Sequence, residues 1–229
     1  MSKITSPISV LELGSTYLHF AIYDKSILNQ CRFYQERIDY TKNEKTFNEK
    51  LIIETIIKAE KDIGQHLNEI TLLIDPKSTH TLDISIKKNY EKKIINKNDI
   101  NYLKNERKNI IKLNNKDNDI LHSIITNIFF DGVAVNELEK VSSETSKVVI
   151  EFKFIMANKK EIEDLKSFFF SKHISVNNVY CTNYIKCLGL IDKLNISGYS
   201  SFIDIGLNKS SISIFEDDRL LYSNNIRIG

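Results

Sequence analysis

Apolar residues alternate with polar ones at both ends of this chain and recur at helical spacing between them. Residues 8–23, ISVLELGSTYLHFAIY, place an apolar strand before a Gly-Ser-Thr turn. In the strand that follows, Leu18, Phe20 and Ile22 alternate with their neighbours, which is the pattern of a β-hairpin. A third strand is predicted from Cys31 to Ile38. From Thr46 to Ile63 the spacing of Phe47, Leu51, Ile52, Ile56, Ala59 and Ile63 predicts an amphipathic helix covering a sheet, ended by Gly64. ITLLI at 70–74 is a continuous apolar run suited to a strand covered on both faces, and Asp75-Pro76 stops it.

The texture then changes. LDISI at 82–86 alternates, and the Lys/Asn-rich stretch after it reads as a solvated loop leading into a short polar helix through Leu103, capped by Asn98 or Asp99. DILHSIITNIFFDGVAV predicts a strand, an Asp131-Gly132 turn and a further short strand. KVVIEFKFIMA at 147–157 is a long alternating strand, read as an edge suited to pairing across an interface. Residues 80–157 thus form a small inserted α+β unit between a first part, 1–79, and a returning part, 158–229. The return begins with a helix capped by Asn158, whose Ile162, Leu165, Phe168 and Phe169 share one core-facing side. SVNNVYCTNYIKCLGLI predicts a short strand and a helix ending near Gly189. Strands at 200–205, 211–215 and 219–223, with an Asp217-Asp218 turn, complete an α/β organisation.

Composition narrows the function classes. The 229 residues are 41% hydrophobic, ample for a buried core. The 32 basic and 30 acidic residues nearly cancel, so the net charge of +2 argues against a nucleic-acid partner. Cys31, Cys181 and Cys187 are odd in number and form no C-x-x-C pair, which disfavours disulfides and structural zinc and fits a reducing cytoplasm. His19, His66, His80, His122 and His173 are scattered without metal-ligand spacing. The first residues lack a secretory pattern, and no apolar run approaches the roughly 20 residues of a membrane-spanning helix.

One device occurs twice. Glu12-Leu13-Gly14-Ser15-Thr16 and Asp204-Ile205-Gly206-Leu207-Asn208-Lys209-Ser210 each set a carboxylate and a glycine in the turn between two strands. A phosphate chain needs backbone N–H groups aimed into a concavity, a residue small enough for close approach, and hydroxyls as extra donors. Gly14, Ser15 and Thr16 supply these, as do Gly206 and Ser210. Glu12 and Asp204 are placed to hold Mg²⁺ through water. Taken alone, either turn is weak evidence, because an acidic residue before a glycine turn commonly marks a plain chain reversal; the pair, about 190 residues apart, favours phosphate.

On these residues the chain resembles FtsA, the bacterial cell-division actin homologue. ISVLELGSTYLHFAIYD is similar to that family's first phosphate motif and SFIDIGLNKSSISIFEDDRLLYSNNIRIG to its second. The segments between, from LLIDPKSTHTLDISI to KVVIEFKFIMANKKEIEDL, are similar to its inserted subdomain 1C. The resemblance implies a ribonuclease H-like, actin-type ATPase domain, subdomain 1A, carrying 1C at 80–157. It implies a nucleotide-dependent scaffold that binds ATP and Mg²⁺, self-associates into filaments and links FtsZ to the divisome at the cytoplasmic face of the inner membrane. In that family 1C meets late division proteins and the neighbouring subunit. The FtsZ site and the membrane-attaching amphipathic helix belong to a second half beyond Gly229, so the chain is expected to be an N-terminal piece. The second motif departs from the family's Gly-Gly-Gly-Thr, since Leu207, Asn208 and Lys209 follow Gly206. Lys209 is either a compensating point-charge donor or a solvent-facing residue of a decayed site, and VYCTNYIKC offers no obvious base for hydrolysis. The alternatives are the pilus-assembly homologue PilM, or a sugar- or acetate-kinase relative. The reading requires the two glycine turns to lie side by side in one sheet, turned toward a common anion.

Overall fold

The computed structural model describes residues 7–24, 27–38, 49–135, 144–207 and 209–226. A five-stranded sheet is built from β1 (Pro7–Leu13), β2 (Tyr17–Asp24), β3 (Ile27–Arg37), β4 (Glu69–Ile74) and β9 (Ser175–Cys181), in the order β3-β2-β1-β4-β9. The first three strands form an antiparallel meander, and β4 and β9 then run parallel to β1. Parallel neighbours require a crossover, and helices supply each one. α1 (Glu49–Ile63) turns Ile52, Ile56, Ala59 and Ile63 onto the sheet. It ends at Gly64, whose φ of +70° is the left-handed conformation a C-terminal glycine supplies without strain. The expected first turn of this helix, 46–48, lies outside the described residues. β4 buries Ile70, Leu72 and Ile74 and leaves Thr71 and Leu73 partly exposed, so its second face is only partly covered.

The inserted segment forms its own sheet, β5-β8-β6-β7, from β5 (His80–Ile94), β6 (Asn118–Phe130), β7 (Val133–Ala134) and β8 (Glu144–Asn158). α2 (Lys97–Asn114) covers one face through Ile100, Leu103 and Ile111. Three sequence expectations change here. The Lys/Asn-rich stretch is not a loop but the second half of β5: the backbone of β8 pairs with it through Asn89, passes an irregularity at 90–92 where Lys92 has a φ of +41°, and resumes at Lys93 and Ile94. The helix is capped by Asn96, not Asn98 or Asp99: its side chain accepts from the N–H groups of Asn98 and Asp99, while Asp99 returns a bond to the Asn96 N–H. With that capping box it runs well beyond Leu103. Finally, β8 lies between β5 and β6, so VVIEFKF is a central strand and β5 is the edge.

α3 (Lys159–Ser171), capped by Asn158, buries Ile162 and Phe169. α4 (Thr182–Leu194) passes straight through Gly189 and stops at Asn195, whose φ of +49° takes the left-handed role expected of the glycine. The last strands, β10 (Tyr199–Ile205), β11 (Ser210–Glu216) and β12 (Arg219–Ile226), form a separate three-stranded sheet. The requirement that both glycine turns lie in one sheet is therefore not met, and residues 158–229 divide between two sheets; only the side-by-side placement of the turns holds, and a phosphate site must be argued from that contact alone. α4 is the wedge between them. Its Tyr184 ring stacks on Phe215 of β11, and Asn183 donates 2.9 Å to Ser213 Oγ in a fully buried contact. Arg219 and Asn225 hold the small sheet to the inserted unit through Thr126 O, Asn127 Oδ1 and Thr79 O. A core running from Leu11, Phe20 and Leu72 through Ile155 to Phe215 joins the pieces, each such side chain contributing about 1.5–3 kcal/mol of burial.

Candidate functional site

Parallel pairing decides what meets at the edge of the large sheet. Leu13 of β1 is level with Ile74 of β4, and Ile74 with Cys181 of β9. The residues that follow, Gly14, Asp75 and Thr182, therefore emerge side by side at the carboxyl ends of three parallel strands, where open α/β sheets bind ligands. The β10–β11 turn faces them from the other sheet. A Cβ built on Gly206 would lie 3.7 Å from Ser15 Oγ, so the two turns abut. Between them is a cleft of about 510 Å³, lined by Glu12, Gly14, Ser15, Thr16, Asp75, Lys77, Thr182, Lys186, Asp204, Gly206 and Lys209.

The two turns are built alike. Gly14 N–H donates 3.1 Å to Tyr17 O, and Gly206 N–H donates 3.0 Å to Lys209 O. In both, only glycine fits, because a Cβ would stand 2.6 Å from Tyr17 O and 2.9 Å from Lys209 O. These closing bonds use the glycine amides internally and leave the Ser15 and Thr16 amides and hydroxyls without a partner among the described residues. Asn208 lies outside the described residues. Ser210 opens β11, level with Ile205.

The charged side chains are paired across the cleft. Glu12 is held by Lys186 Nζ at 2.5 Å and His19 Nδ1 at 3.0 Å. Lys209 Nζ lies 2.6 Å from Asp75 Oδ1, both side chains mostly buried, and also donates 3.4 Å to Pro76 O. Lys209 is thus not the solvent-facing turn residue of one sequence reading. Burial raises the Asp75 carboxyl above its ordinary range, opposed by Lys209, while the Asp204 charge adds to the rise and Lys186 opposes it. Asp75, Lys77 and Lys209 also line a second, polar cavity of about 500 Å³ reaching Asn183, Ser213 and Asn225.

Sequence reasoning missed Asp75, Lys186 and Thr182. Thr182 is 5% exposed, its Oγ1 has no partner among the described residues, and it begins α4, where the Asn183 and Tyr184 backbone bears on the Cys181 thiol. A buried hydroxyl without a partner at the start of a helix suits an anion. The usable signal was the position of Asp75 and Thr182 directly after a parallel strand; Lys186 joins them one turn into α4. A bare cation fits less well: Glu12 and Asp75 are already neutralised by lysines, and no group of three His, Cys, Asp or Glu among the described residues could hold a metal. The donors present suit a polyphosphate, and Mg²⁺ at Glu12 and Asp204 would require Lys186 to leave Glu12.

No known protein-family profile matches the chain, and no curated protein does. Among solved structures, it is similar to the PilM-PilN type IV pilus biogenesis complex, at 10% identity over 96% of this chain and 61% of that one, with a TM-score of 0.61. The ethanolamine utilization protein EutJ from Carboxydothermus hydrogenoformans matches at 9% identity, 98% and 53% coverage and a TM-score of 0.47. A Bacteroides thetaiotaomicron protein with an actin-like ATPase fold matches at 12%, 98% and 71% with 0.48. The chain thus spans 61% and 53% of the length of the first two. It has the mixed α/β, ribonuclease H-like sheet of the actin-like ATPase fold. A shared fold leaves the chemistry to be argued from the cleft.

Proposed function

We propose that this chain is the nucleotide-binding part of an actin-like scaffold protein, taking the phosphates of ATP between its two glycine turns. One observation carries the reading: the Gly14 and Gly206 turns, built on the same closing bond, abut across a cleft that also holds the start of α4. The Ser15 and Thr16 amides and hydroxyls, the Thr182 hydroxyl and the Lys209 ammonium are the donors, with Gly14 and Gly206 allowing close approach and Ser210 closing the second turn. Bound Mg²⁺ would offset phosphate charge beside Glu12 and Asp204. Titration calorimetry with ATP, with and without Mg²⁺, tests this. Saturable binding that is lost in Thr182→Val and Ser15→Ala supports it, and absence of binding to the intact chain overturns it.

The scaffold role has two elaborations. A pilus-assembly role is favoured by the structural similarity to the PilM-PilN complex. A division role of the FtsA kind is favoured by the order of segments around 80–157 and adds filament formation, late division proteins and, through parts beyond these residues, FtsZ and the membrane. Both put the protein at the cytoplasmic face of a membrane. No helix among the described residues is long and apolar enough to cross one. Deleting the gene separates the two: filamentous, undivided cells support the division role, and loss of surface pili with normal division supports the other.

A further inference from the structure

Residues 85–116 hold ten Lys and Arg against three Asp and Glu, an excess of seven positive charges in a chain whose net charge is +2. The rest of the molecule is therefore net acidic, and the basic charge is concentrated on the outer half of β5 and on α2. These two elements are joined through Lys88, whose Nζ lies 5.8 Å from the centre of the Tyr90 ring and 5.6 Å from that of Tyr102. Among the described residues, only Lys93 and Lys112 of this group reach a carboxylate, Asp99 at 2.6 Å and Asp119 at 3.7 Å. Lys104 feels the surplus: burial first, and then the neighbouring Lys108 charge, push its ammonium below the ordinary range.

β5 is an edge strand. Its backbone pairs with β8 on one side, interrupted at 90–92, and among the described residues no strand pairs with its other side. Lysines on an exposed edge commonly guard against unwanted strand pairing. That explains Lys87, but it does not call for Lys104 and Lys108 on the adjoining helix. A lysine guard repels a basic strand and resists an apolar one through the cost of desolvating its ammonium, but it attracts an acidic strand.

We propose that β5 and α2 form a docking site for an extended acidic segment of another protein, which adds to the free edge of β5 as a strand and sets its carboxylates against the lysines. Two features favour a peptide over a lipid surface or a nucleic acid. A bilayer offers no backbone groups to the strand edge, and although α2 exposes Tyr102, Ile110 and Leu113, its Ile100, Leu103 and Ile111 are taken up by the unit's own core. Of the rings that could stack bases, Tyr90 and Tyr102, each has one face already taken by Lys88. The site is independent of the nucleotide cleft.

The test is fluorescence anisotropy of the full chain with a labelled peptide alternating Glu and Val. An otherwise identical Lys/Val peptide, phosphatidylserine vesicles and a single-stranded oligonucleotide serve as competing probes. Saturable binding of the Glu/Val peptide is expected, weakened about tenfold by Lys87→Glu with Lys92→Glu and by raised salt. N-methylating alternate peptide amides should weaken it by a similar factor, because strand addition needs those donors. Circular dichroism of the double variant shows whether it remains folded, and the N-methylated peptide tests the unaltered protein. Equal binding of the N-methylated peptide, no binding of the Glu/Val peptide, or preference for vesicles or oligonucleotide overturns the proposal.

Discussion

The Lys209 ammonium and the Asp75 carboxylate meet at 2.6 Å across the gap between the two sheets, one in the β10–β11 turn and the other just past the end of β4. Their side chains are 14% and 16% exposed, so the pair is a charged cross-link in a largely dry place. The lysine that interrupts the glycine turn thus has a structural partner, and any phosphate must compete with Asp75 for it.

Lys209→Met should destabilise the protein by roughly 1–3 kcal/mol, a figure reduced for the remaining exposure, since it strands a buried carboxylate. Burial already raises the Asp75 carboxyl and Lys209 opposes the rise, so removing the lysine raises it further. A carboxyl with an elevated folded value costs stability once it must ionise. The deficit should therefore be small in acid and grow as pH climbs through and above the ordinary carboxylate range. Urea denaturation of both proteins across that range checks the sign. Asp75→Asn should instead release Lys209 and tighten ATP binding by up to about tenfold, the gain of one charge-assisted donor.

Gly14→Ala and Gly206→Ala test the turns. Each added methyl meets a backbone oxygen closer than carbon and oxygen tolerate, 2.6 Å at Tyr17 O and 2.9 Å at Lys209 O, so the turn must open and lose its closing bond. A loss of about 1–3 kcal/mol is expected in each. Gly189→Ala is the control: it sits within α4 with nothing near its would-be Cβ and should gain a few tenths to about 1 kcal/mol of helix stability. Thermal unfolding of the three variants gives the order.

Much of the fold could be read from local pattern. The first hairpin, β6 with its Asp131-Gly132 turn, and α3 with its Asn158 cap follow from alternation and capping chemistry that act over a few residues. The lysine-rich half of β5 could not be read in this way, because its strand character comes from pairing with β8 some sixty residues on. The two glycine turns were legible because close approach demands glycine locally. Asp75, Thr182 and Lys186 join the cleft only through the parallel register of β1, β4 and β9 and one turn of α4, relations that no short window contains. The same long-range order moved the second turn into a sheet of its own.

Thiol chemistry offers a check on the core. Cys31 is exposed on β3, whereas Cys181 and Cys187 are buried. Burial, with the nearby Asp75 charge, lifts the Cys181 thiol to about 12, and burial with Asp204 lifts Cys187 to about 11. Since the thiolate is the reactive form, one equivalent of a chromogenic disulfide reagent should be consumed rapidly by the native protein and three after denaturation. Two fast equivalents would mean that α4 does not pack between the sheets.

His122 makes stability depend on acid. It lies on β6, stacks on Tyr180 at 5.3 Å and meets the edge of Tyr184 at 4.7 Å, and its Nε2 accepts the Cys181 N–H at 2.8 Å at the start of α4. Accepting that bond requires an unprotonated Nε2, and burial lowers the imidazole from 6.5 to about 4. The unfolded chain takes up a proton as pH falls through about 6.5, whereas the folded chain resists until about 4. Stability should therefore fall through that window by up to ~3 kcal/mol, the linkage equivalent of the shift. His122→Gln keeps an acceptor with no titration and should flatten this part of the profile, at some cost in ring packing at neutral pH. Denaturant midpoints at several pH values for both proteins measure the difference, and parallel profiles would show that His122 is not buried against α4.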